Sequence, residues 1–285
     1  MKNIITLLII VIVLISCDSP LDFDPISKET AEQVVVNATI ETGSVPGVHL
    51  SLSRSVLKNT PYANIENATI TIGNNGTDQL LLYQGNGVYQ GTEPIVSNTS
   101  YDLHISVNGF DLISAREIAP AQIDFLDLEV IENAIYTDNG SVSLLELTIQ
   151  DDPLTENYYE LIIYQMKGDS INFMPMHISD IHITNVSAGS ILSQEDESVY
   201  QLLLTDELFN GQEFSLETQF YKFDENAPVV IHLKSLSENY YDYLFNKHLT
   251  TKNNLDPLSE PISTYSNIEN GIGIFAGYSY VEAVR

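Results

Sequence analysis

Alternation with a period of two is the feature that most narrows the folds open to this chain. Tyr101, Leu103, Ile105 and Val107 alternate with Asp102, His104, Ser106 and Asn108; Val48, Leu50 and Leu52 alternate with His49, Ser51 and Ser53. Successive strand side chains point to opposite faces, so each set gives one apolar face and one wetted face. Runs of this kind lie near 33–42, 47–54, 66–73, 78–84, 87–92, 99–108 and 110–118. Turn signals separate them: Gly43-Ser44, Gly73-Asn74-Asn75-Gly76, Gly85-Asn86-Gly87 and Asn108-Gly109. The last fits a two-residue hairpin loop. About seven short antiparallel strands in this span predict a β-sandwich of immunoglobulin-like or transthyretin-like type. Periodicity does not choose between those topologies.

Proline breaks the strand pattern at Ala119-Pro120-Ala121, which sets a boundary between a sandwich domain at 33–118 and a second β-rich domain at 119–285. Alternation resumes there in Leu145, Leu147, Ile149; Tyr159, Leu161, Ile163; Phe214, Leu216, Phe220; and Val229, Ile231, Leu233. One helix interrupts the β pattern. Ser235-Leu-Ser-Glu238 has the form of a capping box, and Leu236, Tyr240, Tyr243 and Leu244 then share a helical face. The spacing predicts a helix over 236–250. The fold class is therefore mainly β.

The N-terminus carries an address. Lys2 precedes an apolar run from Ile4 to Ile15 interrupted only by Thr6, and Leu14-Ile15-Ser16-Cys17 resembles a bacterial lipobox. As a helix the run would reach roughly 18 Å, short of the ~30 Å hydrocarbon core, so it reads as a signal and not a span. Residues 1–16 are a lipoprotein signal peptide on this reading, and Cys17, the only cysteine in the chain, is the lipidation site. Each buried acyl methylene contributes about 0.8 kcal/mol, and more than one chain makes anchoring durable. Residues 17–32 form a polar, proline-bearing tether. Asp18, Asp22 and Asp24 resemble the acidic export signals that send Bacteroidota lipoproteins to the cell surface.

Charge excludes some partners. Loss of residues 1–16 removes Lys2 and takes the formal charge from −28 to −29. Such a body repels phosphate backbones, so nucleic acid is excluded as a partner. With Cys17 given to lipid, no cysteine remains for a disulfide or a nucleophile.

The remaining motifs point to no catalysis. Gly271-Ile-Gly273-Ile-Phe-Ala-Gly277 has the wrong spacing for a dinucleotide loop and runs into strand-like sequence, so its glycines read as sites of close backbone approach. Phe173-Met174-Pro-Met176-His177 with His182 is the most metal-like cluster, yet the two histidines would face opposite sides of one strand. Asp151-Asp152 and Asp196 lie at loop positions without the calcium-loop pattern. No metal, no cofactor and no enzymatic activity are expected.

A family resemblance emerges from several blocks. They include Val34-Val-Val36-Asn-Ala, Ser51-Leu-Ser-Arg54-Ser, Asp151-Asp-Pro with Asn157-Tyr-Tyr159, and Asp206-Glu-Leu-Phe209-Asn-Gly211. Later come Leu236-Ser-x-x-Tyr240-Tyr-Asp-Tyr243, Pro257-Leu-Ser-Glu-Pro261 and Ser266-Asn-Ile-Glu-Asn-Gly271-Ile-Gly273-Ile-Phe-Ala-Gly277-Tyr. Together they resemble the Bacteroidota lipoproteins of domain-of-unknown-function family 4249. The resemblance implies an outer-membrane, surface-facing lipoprotein with a sandwich similar to carboxypeptidase regulatory-like domains. It also implies work beside a TonB-dependent transporter in nutrient uptake, and no catalytic residues. Asn267, Asn270, Gly271, Gly273, Gly277 and Tyr278 form a block read as turn and packing residues, with a binding role as the alternative. Two other functions stay open: a free-standing glycan- or protein-binding adhesin using Tyr62, Tyr83 or Tyr89, and, weakest, a hydrolase.

Overall fold

The computed structural model describes residues 32–54, 61–74, 76–137, 140–168, 170–178, 198–253 and 264–285. Eight strands fill the first half: β1 (Val34–Glu41), β2 (Gly47–Leu52), β3 (Ala68–Asn74), β4 (Thr77–Leu80), β5 (Leu82–Gly85), β6 (Val88–Gln90), β7 (Thr99–Val107) and β8 (Ile113–Ala119). Next come β9 (Phe125–Thr137), β10 (Gly140–Gln150), β11 (Tyr158–Lys167), β12 (Ser170–Phe173) and β13 (Met176–His177). The chain closes with β14 (Ser198–Val199), β15 (Leu202–Thr205), β16 (Glu213–Phe220), β17 (Val229–Leu236), helix α1 (Glu238–Asn253) and β18 (Ile272–Val284). No helix among the described residues is long and apolar enough to cross a membrane.

One long sheet serves two cores. Its order is β12-β11-β17-β18-β1-β2-β6-β5, with β15 also paired to β11. A four-stranded sheet, β4-β3-β7-β8, packs over one part of it and a five-stranded sheet, β14-β13-β16-β10-β9, over the other. Val34, Val36, Ala38 and Ile40 point from β1 into the first core, beside Leu50, Ile70, Leu103, Ile105 and Phe275. Leu145, Leu161, Ile163, Leu216, Phe220, Ile231 and Leu233 build the second. The predicted sandwich and the mainly β class are the observed ones, and the long sheet is the layer common to both halves.

The change of core, from Ala119 to Ile123, falls at the proline that interrupts the pattern. The C-terminal segment then returns to the first half. β18 runs parallel to β1 from Ile272 to Tyr278 and antiparallel to β17 from Tyr278 to Val284. Phe275 thus belongs to the first core while Val281 packs on the second. First and last strands are joined at the centre of the sheet.

Three local expectations are corrected. The predicted strand over 78–84 is two strands in different sheets, because buried Leu81 bonds to Ile70 while the chain crosses from β3 to β6 as partner. The two-residue hairpin at Asn108-Gly109 is a longer loop, since the last β7–β8 pair is Ile105 with Ile113. The helix is capped by Ser237 and not by Ser235, which is still paired in β17 opposite Tyr159. Ser237 Oγ accepts from the Tyr240 N–H at 3.3 Å, and Tyr240 in place of an acid at that position leaves no reciprocal capping box.

Register also creates an electrostatic fault. Glu146 on β10 lies opposite Glu129 on β9 and opposite Glu217 on β16, so three exposed carboxylates stand in a row. Like charges directly opposite each other destabilise by up to about 1 kcal/mol per pair. Glu146→Lys is expected to raise stability by about 1 kcal/mol in low salt, with the gain shrinking in high salt, as read by urea denaturation.

Candidate functional site

A cleft of about 440 Å³ with mixed polar and apolar walls opens where the two halves and the start of α1 meet. Asn98, Arg116, Glu117, Asn157, Tyr158 and Asn239 are among its lining residues. β8 alternation places Glu117 on the same face as Ile113 and Ala119, so its carboxyl is carried inward and only 3 % of the residue is exposed. Room for it comes from Gly277, where a Cβ would stand 3.2 Å from Glu117 Cγ.

Glu117 is short of partners. Oε1 accepts the Ile118 N–H at 2.7 Å, while Oε2 is buried with no hydrogen-bond partner. Burial pushes the carboxyl up to about 7, against the downward pull of the Ile118 N–H and the nearby Ser237 and Asn239 side chains. Ser237 Oγ accepts from Tyr240 and from the Gly277 N–H at 3.1 Å, which leaves its hydroxyl hydrogen as a donor beside the carboxyl. The neighbouring Arg116 points outward into a two-pronged pair with Asp102 (2.7 and 3.2 Å). That bond holds the Asp102 carboxyl below its usual range. The cleft therefore offers side-chain amides and hydroxyls for hydrogen-bonding a small molecule, with the Glu117 carboxyl buried in its wall.

A second polar cluster joins three of the motif blocks. Asp151 is buried, with Oδ1 accepting from the Tyr159 hydroxyl at 2.5 Å and Oδ2 from the Gly211 N–H at 2.7 Å. Asp206 is buried too, and its Oδ2 accepts from the Asn157 N–H at 2.9 Å. Beneath them Phe209 stacks on Phe214 at 4.0 Å and faces the Tyr159 ring at 6.2 Å. Burial pushes both the Asp151 carboxyl and the Tyr159 phenol up. Each carboxylate is held by donors from the other loop, so the cluster pins the 151–157 and 206–211 loops together. Among the described residues no three His, Cys, Asp or Glu side chains are grouped as a metal site requires. Tyr159→Phe removes a buried donor and leaves Asp151 Oδ1 short of it, an expected loss of about 1–3 kcal/mol in urea denaturation.

The C-terminal block is tied into the body at every point. Asn267 donates to the Phe275 carbonyl at 2.8 Å and accepts its N–H at 2.9 Å. Asn270, at φ +58°, donates to the Leu112 carbonyl at 2.9 Å. Gly271 lies against Val34 and Gly273 against Val36, at the β1 contact. Tyr278 donates to Glu41 at 2.8 Å. Gly277 is in the wall behind Glu117. The block is the seam by which β18 enters the sheet.

Other expected residues fall differently. Tyr89 is 1 % exposed, which removes it from any exposed aromatic platform. Its hydroxyl donates to the Ile65 carbonyl and accepts the Ala68 N–H, both at 3.0 Å, so it is a core residue with a satisfied polar tip. Tyr62 and Tyr83 are 61 % and 41 % exposed. Met174 and Met176 are fully buried in the second core. Cys17, His182 and Asp196 lie outside the described residues. Glu117 is the residue that sequence reading missed. Its signal is present: in Ile113-x-Ala115-x-Glu117-x-Ala119 an acid occupies a position that alternation assigns to the core.

A mainly β double sandwich with a cleft at the start of its helix is thus the class of protein that fold and site define. The chain belongs to the family described as Domain of unknown function (DUF4249), which it matches over residues 18–283. No curated protein matches it. Among solved structures it is similar to a candidate carbohydrate-binding protein from Bacteroides uniformis, at 10 % identity, over 88 % of this chain and 97 % of that one, with a TM-score of 0.25. It is also similar to a mutant Salmonella alpha-2-macroglobulin, at 8 % identity, over 89 % of this chain and 14 % of that one, with a TM-score of 0.25. Escherichia coli alpha-2-macroglobulin gives 11 % identity over 72 % and 13 % of the two chains, again with a TM-score of 0.25. At such scores these likenesses carry no argument about binding.

Proposed function

We propose that the protein is a non-enzymatic, lipid-anchored binding subunit of the outer membrane, facing the exterior and serving a TonB-dependent transporter in nutrient uptake. The observation that carries this reading is the lipobox at Leu14–Cys17 and its tether, which feed into β1. That strand is not peripheral. It is flanked by β18 through seven residue pairs and by β2 through six, so freeing it from the body would break two ladders. A body built this way suits tethering by its N-terminus. The cleft beside Glu117 and the open sheet margin at β9 offer binding surfaces, and the transporter context is what the resemblance of the motif blocks implies.

Membrane fractionation with radiolabelled palmitate tests the anchor. The wild type is expected to label and to sediment with the outer membrane, whereas Cys17→Ala is expected to lose the label and leave the membrane fraction. Equal label and equal sedimentation of the variant would overturn the reading.

A further inference from the structure

Strands at the margin of a sheet present unpaired N–H and C=O groups, and proteins blunt them by keeping them short or covered. Among the described residues most margins here obey that rule. β4, β5, β12 and β15 have four residues each and β14 has two. β8 has seven, and a bridge from Ser114 to Glu269 ties it down. β9 is the exception, with 13 residues at the end of the five-stranded sheet and β10 as its strand partner. Its side chains are open among the described residues, with Leu126, Ile131, Ile135 and Tyr136 56, 36, 41 and 81 % exposed. On its 127–131 stretch the Leu128 N–H is held by the Asp127 carboxylate at 3.0 Å, a local bond that an added strand would replace.

The ladder defines which stretch can receive another strand. Register shifts interrupt β9 on both sides of Asp127–Ile131, and Asn133 at φ +53° kinks the tip. Between those shifts five residues are regular, about the length of an ordinary strand. Charge defines the occupant. Asp127 and Glu129 are exposed on this stretch, and register continues Glu129 into Glu146 and Glu217 across the face. A second copy would bring its own row of carboxylates against this one, so self-pairing is opposed. Lysine or arginine at alternate positions of an added strand would relieve the repulsion while its backbone completes the ladder.

We propose that β9 between Asp127 and Ile131 is a docking edge for an extended basic segment of a partner protein, which adds as a sixth strand to the five-stranded sheet. This rests on the reading of the chain as a binding subunit and is independent of the lipid anchor.

Fluorescence anisotropy on the full-length protein in detergent micelles tests it, with a labelled octapeptide of alternating lysine and threonine as probe. Saturable binding at low salt is expected, weakened tenfold or more by Glu129→Lys combined with Glu146→Lys, a variant that should melt no lower than the wild type. N-methylation of alternate peptide bonds removes backbone donors and keeps the charge, so it too should weaken binding tenfold or more. Several outcomes would overturn the proposal: no binding, equal binding of the N-methylated probe or of a glutamate–threonine peptide, or indifference to the double variant. Concentration-dependent dimers formed through β9 would do the same. If the peptide fails while the transporter still co-purifies, only this edge is wrong; peptide binding without co-purification would count against the wider function instead.

Discussion

Glu117→Gln is expected to stabilise the protein at pH 8 by about 3 kcal/mol and to leave it unchanged at pH 4. The folded carboxyl holds its proton up to about 7, against an ordinary value of 4.5. The fold therefore favours the protonated form, and that contribution is fully present below about pH 4.5. It is lost at about 1.4 kcal/mol per pH unit as pH rises towards 7, the interval over which an unfolded chain has already ionised. Above pH 7 the wild type must keep a buried charge that the Ile118 N–H and the nearby Ser237 and Asn239 side chains offset only in part. Glutamine keeps the shape and the acceptor that Oε1 offers to Ile118, and it removes the charge. Paired urea titrations from pH 4 to pH 8 would show the two curves together at the acid end and diverging between pH 5 and pH 7. A variant that is less stable at pH 8 would mean that the ionised carboxylate has a partner and a use.

Gly273→Ala is expected to be more damaging than any surface change, with a loss of about 4 kcal/mol or more and a large fall in soluble yield. Two costs combine. Its φ of +122° strains any residue with a Cβ, and a Cβ there would stand 2.0 Å from the Val36 carbonyl oxygen, on the β1 backbone itself. That contact lies within the parallel ladder where Val36 pairs with Gly273, so relief requires β1 and β18 to part. Gly47→Ala is the internal control: it has open space around it and an ordinary φ, and should change stability by no more than about 0.5 kcal/mol. Equal melting of both variants would show that the seam tolerates separation.

Much of the fold was legible because its information is local. Val34, Val36, Ala38 and Ile40 alternate with Val35, Asn37 and Thr39, and all four are in the core. The helix was placed within a few residues by its apolar spacing, whereas its cap depends on where β17 stops pairing, so Ser237 and not Ser235 holds the first turn. The union of β1 with β18 was not legible, since nothing in either segment names a partner more than 230 residues away. Leu126, Leu128 and Val130 alternate with Asp127 and Glu129, yet that pattern cannot say that β9 ends a sheet. Tyr89 failed as an exposed aromatic because strand sequence does not tell which face a sheet will bury.

The candidate site was legible only in fragments. The Asp151, Asn157–Tyr159 and Asp206–Gly211 blocks were visible as motifs, but their common purpose as a clasp between two loops exists only once the second core has formed. Glu117 carried a signal in its phase within β8, and its consequence depends on Gly277 and Ser237, both supplied from the far end of the chain.

Affinity purification of the full-length tagged protein from outer membranes in mild detergent, with mass spectrometry of what co-elutes, tests the central claim most directly. The account predicts a TonB-dependent transporter in the eluate and an acylated Cys17 at the mature N-terminus. Recovery of an unacylated monomer with no membrane partner would contradict it.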